Sequence, residues 1–111
     1  MTLFAHLFNP RQANIFEVVQ AHLYSAISVA DLAKLTGRSL SAFKRDFETQ
    51  FNDTPANFIK EKKLEKALDL LQSTELSVSE ICYEVGFQDT SHFTKTFKQK
   101  YNQSPSEYRK K

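Results

Sequence analysis

A guanidinium presents two parallel N–H donors, and the O6/N7 edge of guanine presents the matching pair of acceptors. In this 111-residue chain Arg45 offers that fork. Ser39, Ser41 and Lys44 lie beside it, two short hydroxyls and an ammonium suited to a base or a phosphate. About fifty residues further on, Gln88, Thr90, Ser91, Thr94 and Lys95 offer the same range of chemistry. There Gln88 or Thr90 is suited to a base edge, and Lys95 to a phosphate or a guanine. Lys98 and Lys100 follow, facing phosphate or solvent. For every one of these residues the competing role is an ordinary solvated side chain. The case for contact is strongest at Arg45 and Lys95, because they hold the same place in a repeat.

Other chemistries lack the residues they need. His6, His22 and His92 do not stand at a metal-ligand spacing, and no serine, histidine and acid arrangement suggests nucleophilic catalysis. With two glycines in the chain there is no glycine-rich phosphate loop. The reading is therefore of a protein that is not an enzyme and holds no metal or cofactor. Cys82 is the one cysteine, which excludes an internal disulfide and suits the reducing cytoplasm; on the inner face of a short helix it reads as core rather than as a reactive thiol. No apolar run approaches the ~18 residues of a membrane span, and the N-terminus lacks a basic-then-apolar signal pattern. The formal net charge is +2, too small to indicate nucleic acid by itself, so the placement of charge must carry that argument.

The elements that would position these residues are visible as an internal repeat. Ser28-Val29-Ala30-Asp31-Leu32-Ala33 matches Ser77-Val78-Ser79-Glu80-Ile81-Cys82 at an offset of 49, and Gly37 matches Gly86. Beyond the glycines the offset is 50, pairing Ser41 with Ser91, Phe43 with Phe93, Arg45 with Lys95, Phe47 with Phe97, Phe51 with Tyr101, Asn52 with Asn102, Pro55 with Pro105 and Phe58 with Tyr108. The second copy has gained one residue in a turn, where an insertion is tolerated. Two copies are too few for a solenoid. In copy one Ser28 is an N-cap with Asp31 at N3, and Val29, Leu32, Ala33 and Leu35 give a short apolar face. Gly37 permits a positive φ, and Ser39 or Ser41 caps the next helix. On that helix Phe43, Phe47 and Phe51 recur at i, i+4 and i+8 as one buried stripe, and Asn52 tolerates the left-handed end. Copy two repeats this with Ser77, Glu80, Gly86, Phe93, Phe97, Tyr101 and Asn102. A short helix, a glycine turn and a longer helix with one buried face form a helix-turn-helix, and the repetition of cap, turn and stripe raises it above an ordinary helical hairpin.

Between the copies, Asp53 or Thr54 caps a helix running from Pro55 to Gln72, whose eighteen residues would span ~27 Å. Phe58, Ile59, Leu64, Ala67, Leu68 and Leu71 line one side, and Lys60, Glu61, Lys62, Lys63, Glu65 and Lys66 the other. Asn9-Pro10 reads as a helix start, followed by an apolar face of Ile15, Phe16, Val18, Val19 and Leu23 against the first helix-turn-helix. Arg109-Lys110-Lys111 reads as a frayed, solvated end.

The run from Ser77 to Lys98, closing with Ser104-Pro105-Ser106-Glu107-Tyr108-Arg109, resembles the AraC/XylS family of bacterial transcription regulators, as does Lys63-Leu64-Glu65-Lys66-Ala67-Leu68-Asp69-Leu70-Leu71. The resemblance covers residues 11 to 109. It implies an all-α domain of about seven helices, two helix-turn-helix subdomains joined by a long linker helix, with each recognition helix in a major-groove segment. The partners implied are double-stranded promoter DNA and RNA polymerase. The family's separate sensory or dimerisation domain is not recognised here, so the chain is expected to be a C-terminal fragment or a single-domain member. Lys63 and Lys95 stand where the family has arginine, which would weaken bidentate contacts, and Asp46, Glu48 and Asp89 place negative charge near the expected DNA faces.

The expected division is a tail or linker remnant over 1–10, a first helix-turn-helix over 11–53, the linker helix over 54–72 and a second helix-turn-helix over 73–111. The alternative function is a helical protein-interaction module without DNA specificity. That module would need an apolar stripe additional to the two that the cores require.

Overall fold

The computed structural model describes residues 13–109, so the expected helix start at Asn9-Pro10, the tail over 1–10 and Lys110-Lys111 lie outside the described residues. Among the described residues there are seven helices and no strand: α1 (Ile15–Ala21), α2 (Val29–Leu35), α3 (Leu40–Phe51), α4 (Pro55–Ser73), α5 (Val78–Glu84), α6 (Thr90–Tyr101) and α7 (Pro105–Arg109). The fold is all-α with two helix-turn-helix units, as the periodicity indicated. By packing, one unit holds the described residues up to His22 together with Ile27–Phe58, and the other holds Leu23–Ala26 and the described residues from Ile59 onward. The start of α4 therefore belongs to the first unit and the rest of that helix to the second.

Each helix start is set by a short polar side chain. Asn14 caps α1, accepting from the Glu17 N–H. Ser28 accepts from Asp31 N–H and Ser39 from Ala42 N–H, so Ser39 rather than Ser41 caps α3. Thr54 accepts from Asn57 N–H at the start of α4. At α5 the capping box is complete: Glu80 N–H donates to the Ser77 hydroxyl oxygen and Ser77 N–H donates to the Glu80 carboxylate. The helix before each turn ends in the same way. Gly37 N–H donates to Lys34 O and Arg38 N–H to Ala33 O, while Gly86 N–H donates to Tyr83 O and Phe87 N–H to Cys82 O. This paired arrangement places the glycine in the left-handed region, with φ 74° at Gly37 and 100° at Gly86. Asn52 (φ 56°) and Asn102 (φ 64°) end α3 and α6 in the same region without glycine.

In the first unit Ile15, Val19, Leu32, Ala33, Phe43 and Phe47 are buried, and Phe47 lies between Phe51 and Phe58 with ring centroids 4.5 and 5.4 Å away. The second unit is centred on Leu64, Ala67, Leu71, Ile81, Cys82, Val85, Phe87, Phe93 and Phe97, with Tyr101 and Tyr108 packed around them. Cys82 is core, as its place on α5 indicated, and burial pushes its thiol pKa up. Three expectations about the apolar faces are corrected. Leu35 is half exposed, and the buried residue at the end of α2 is Thr36, whose hydroxyl donates to Ala33 O at 2.7 Å. Leu23 packs in the second unit rather than on the first helix-turn-helix. Phe16 is half exposed although it stacks on Phe51.

Candidate nucleic-acid interface

The aromatic stripes fix which faces of α3 and α6 are left outward. Phe43 and Phe47 on α3, and Phe93 and Phe97 on α6, are fully buried. On α3 the exposed residues of the first turns are then Ser39, Leu40, Ser41, Lys44 and Arg45. Ser41, Lys44, Arg45, Glu48 and Thr49 together line a shallow open depression. Glu48 is the acidic residue expected near this face, whereas Thr49 was not singled out from the sequence, yet its spacing from Ser41 and Arg45 places it on the same face. On α6, Gln88, Ser91 and Lys95 are exposed and Thr90 and Thr94 partly so. His92 is also exposed there, its ring 5.8 Å from that of Phe87. Each sequence-selected group thus sits along the outward side of one helix and the turn before it.

Several charges have other partners. Asp46 does not present a free carboxylate: its Oδ2 accepts from Arg38 Nε at 3.1 Å and its Oδ1 from Arg45 Nε at 3.4 Å. The Arg38 side chain is only 11% exposed and also donates to Ala13 O at 2.9 Å, so it is a structural cation. Asp89 is the N-cap of α6, accepting from Ser91 N–H at 2.8 Å, where its negative charge complements the helix N-terminus. Lys63 does not reach toward phosphate or guanine, because its Nζ donates to Gly86 O at 3.0 Å and burial pushes its pKa down. Lys100 is not a free surface cation: it is partly exposed and ion-paired with Glu61, and that hydrogen bond holds its pKa up. Arg109 is not frayed. Its guanidinium donates to the carbonyls of Leu70 and Leu71 in the last turn of α4 and of Thr74 and Leu76 just beyond it. What remains outward and cationic on the two candidate faces is Lys44, Arg45, Lys95 and Lys98. Among the described residues, no His, Cys, Asp and Glu cluster could hold a metal ion. No helix among them is long and apolar enough to cross a membrane.

Residues 32–111 match a family model described as a helix-turn-helix domain. The solved structure of a transcriptional regulator from Chromobacterium violaceum, described as an AraC-type DNA-binding domain-containing protein, superposes with a TM-score of 0.71 at 28% identity, covering 90% of this chain and 89% of that one. The chain belongs to the AraC/XylS family of transcription regulators. The DNA-binding domain of the global transcriptional factor AdpA, solved in complex with a target DNA, superposes with a TM-score of 0.80 at 26% identity over 86% of this chain and 88% of that one. In sequence the chain is 34% identical over 100 residues to the uncharacterized HTH-type transcriptional regulator YdeC of Bacillus subtilis (strain 168), which takes in 90% of this chain. It spans 34% of that regulator's length. The AraC/XylS assignment makes α3 and α6 the recognition helices of the two units.

Proposed function

We propose that this AraC-type domain binds double-stranded promoter DNA sequence-specifically, with α3 and α6 each entering a major-groove segment. The observation that carries this reading is the repetition of one exposed polar and cationic face on both recognition helices, opposite fully buried phenylalanines. On α3 the contacts are assigned to Ser39, Ser41, Lys44 and Arg45, with Arg45 the base reader through its fork. On α6 they are assigned to Gln88, Thr90, Ser91, Thr94 and Lys95, with Lys95 the phosphate anchor, since its ammonium is a compact point charge. Ser39 shares its hydroxyl oxygen with the α3 cap, so it offers DNA its proton and remaining lone pair. The two faces differ in sequence, so one chain is assigned an asymmetric site rather than a palindrome.

The relatives are longer, which supports a wider reading in which a sensory or dimerisation domain in the whole protein governs this one. RNA polymerase is the second proposed partner, and the cytoplasm the proposed compartment. Retention of purified polymerase on promoter DNA only when this protein is bound would support the former. The function itself is tested by selecting bound duplexes from random DNA. Recovery of an asymmetric consensus whose affinity falls with salt is expected; recovery of random sequence overturns the reading.

A further inference from the structure

We propose that Asp46 is a positioning residue for Arg45: it holds the Nε edge of that guanidinium so that the terminal nitrogens alone face the DNA base. The inference rests on the reading of Arg45 as a base contact. Asp46 divides its two oxygens between two arginines, Oδ2 to Arg38 Nε at 3.1 Å and Oδ1 to Arg45 Nε at 3.4 Å. The two arginines are unlike. Arg38 is 11% exposed and is fixed by Ala13 O and Thr36 O, whereas Arg45 is 72% exposed. The first arginine therefore pins the carboxylate to the fold, and the carboxylate restrains the second.

A guanidinium can pair with guanine side-on, through Nε and one terminal nitrogen, or end-on, through both terminal nitrogens. With Nε engaged by Asp46, the end-on mode remains. The same carboxylate offsets the charge of Arg45 and weakens its attraction to any phosphate, so the pair trades general affinity for base preference. The second unit lacks this device. There the residue matching Asp46 is Thr96, buried and donating to His92 O, and the residue matching Arg38 is Phe87, which is core. Among the described residues Lys95 has no ion pair. The repeat has thus diverged at this pair of positions: charged on the side of the proposed base reader, apolar and hydroxyl on the side of the proposed anchor.

The test is a double-mutant cycle read as discrimination, measured on the selected duplex, the same duplex substituted at the Arg45-dependent base, and unrelated duplex. Asp46→Asn keeps the size of the side chain but removes the charge and one of the two acceptors. It should lower discrimination at that base about fivefold while affinity for unrelated duplex stays level or rises. In an Arg45→Ala background it should leave discrimination unchanged. A purely structural role for Asp46 would lower both affinities together, and that outcome overturns the proposal. Discrimination unaffected by Asp46→Asn but lost with Arg45→Ala overturns it while sparing the base-contact reading. Discrimination unaffected by Arg45→Ala overturns both. Should Asp46→Asn fold poorly, the Arg45 Nε–H resonance of the parent protein gives the same decision. It should keep its carboxylate-bonded position when the selected duplex is added, whereas movement on binding overturns the proposal.

Discussion

The ammonium of Lys63, on α4, donates to the carbonyl oxygen of Gly86, in the turn between α5 and α6, at 3.0 Å. A cation thus ties the linker helix to the very turn that aims the second recognition helix. The same Nζ lies over the Phe87 ring, 5.8 Å from its centroid. Lys63→Met keeps an unbranched side chain and loses the charge-assisted bond, and should destabilise the protein by ~1–2 kcal/mol. Denaturant unfolding checks the cost. The salt dependence of DNA binding should be the same as the parent's, since Lys63 neutralises no phosphate; a shallower slope would return it to the interface.

The two turn glycines should not respond alike. At Gly86 a Cβ would lie 2.7 Å from both Tyr24 O and Ser25 O, backbone atoms that cannot swing aside, and φ is 100°. At exposed Gly37 φ is 74°, near the range that Asn52 and Asn102 already occupy. Gly37→Asn should therefore cost about 1 kcal/mol or less, while Gly86→Asn should cost more than about 3 kcal/mol. Thermal unfolding of the two variants side by side decides it, and equal losses would contradict the close approach at Gly86.

Phe47 and Phe97 occupy the same place in the two units and are fully buried. Truncating either to Ala should cost ~3–5 kcal/mol. That is a large share of the stability of so small a domain. Both variants should melt well below the parent, and melting like the parent would overturn the assigned helix faces.

The capping box of α5 gives a pH signature. The Glu80 carboxylate accepts from Ser77 N–H, and bonds to the backbone and then to the side chain of Ser77 hold its pKa below the usual glutamate range. A carboxyl depressed in the folded state adds stability above its unfolded pKa, and that stability is lost as pH falls through the folded value. Melting temperatures of the parent and of Glu80→Gln should differ at neutral pH and converge below about pH 4. A difference that persists undiminished in acid would show that the charge of Glu80 is not what stabilises the cap.

Much of this was legible in the residues, because caps, turns and stripes are local. Ser28, Ser77, Gly37, Gly86, Asn52 and Asn102 act through backbone groups within a few positions, so type and spacing suffice to place them. The outward face of α3 follows by subtraction once Phe43 and Phe47 are assigned inward. Long side chains were not legible in this way. Lys63, Lys100, Glu61 and Arg109 find partners 23 to 39 positions away, and Arg38 finds Ala13 O 25 positions back. Sequence gives such a residue its charge and face, but only tertiary packing decides whether the charge meets a carbonyl, a carboxylate or water. The misreading of Arg109 as a loose end and of Lys63 as a weakened DNA contact have this one cause. Asp89 is the reverse case: its capping role is local and could have been read from its offset of 50 from Ser39.

The most direct test of the DNA-reading assignment is the binding of Arg45→Ala and Lys95→Ala to a panel of single-base variants of the selected duplex, at two salt concentrations. The parent should prefer the selected duplex over unrelated DNA by ~10³-fold or more. Arg45→Ala should lose ~1–3 kcal/mol on that duplex and become indifferent to one base pair. Lys95→Ala should weaken every duplex by a similar factor and lower the salt slope by about one unit. Equal affinity of the parent for all duplexes would contradict sequence-specific recognition by these helices. A uniform loss from Arg45→Ala would instead make Arg45 a phosphate contact and leave the first recognition helix without its base reader.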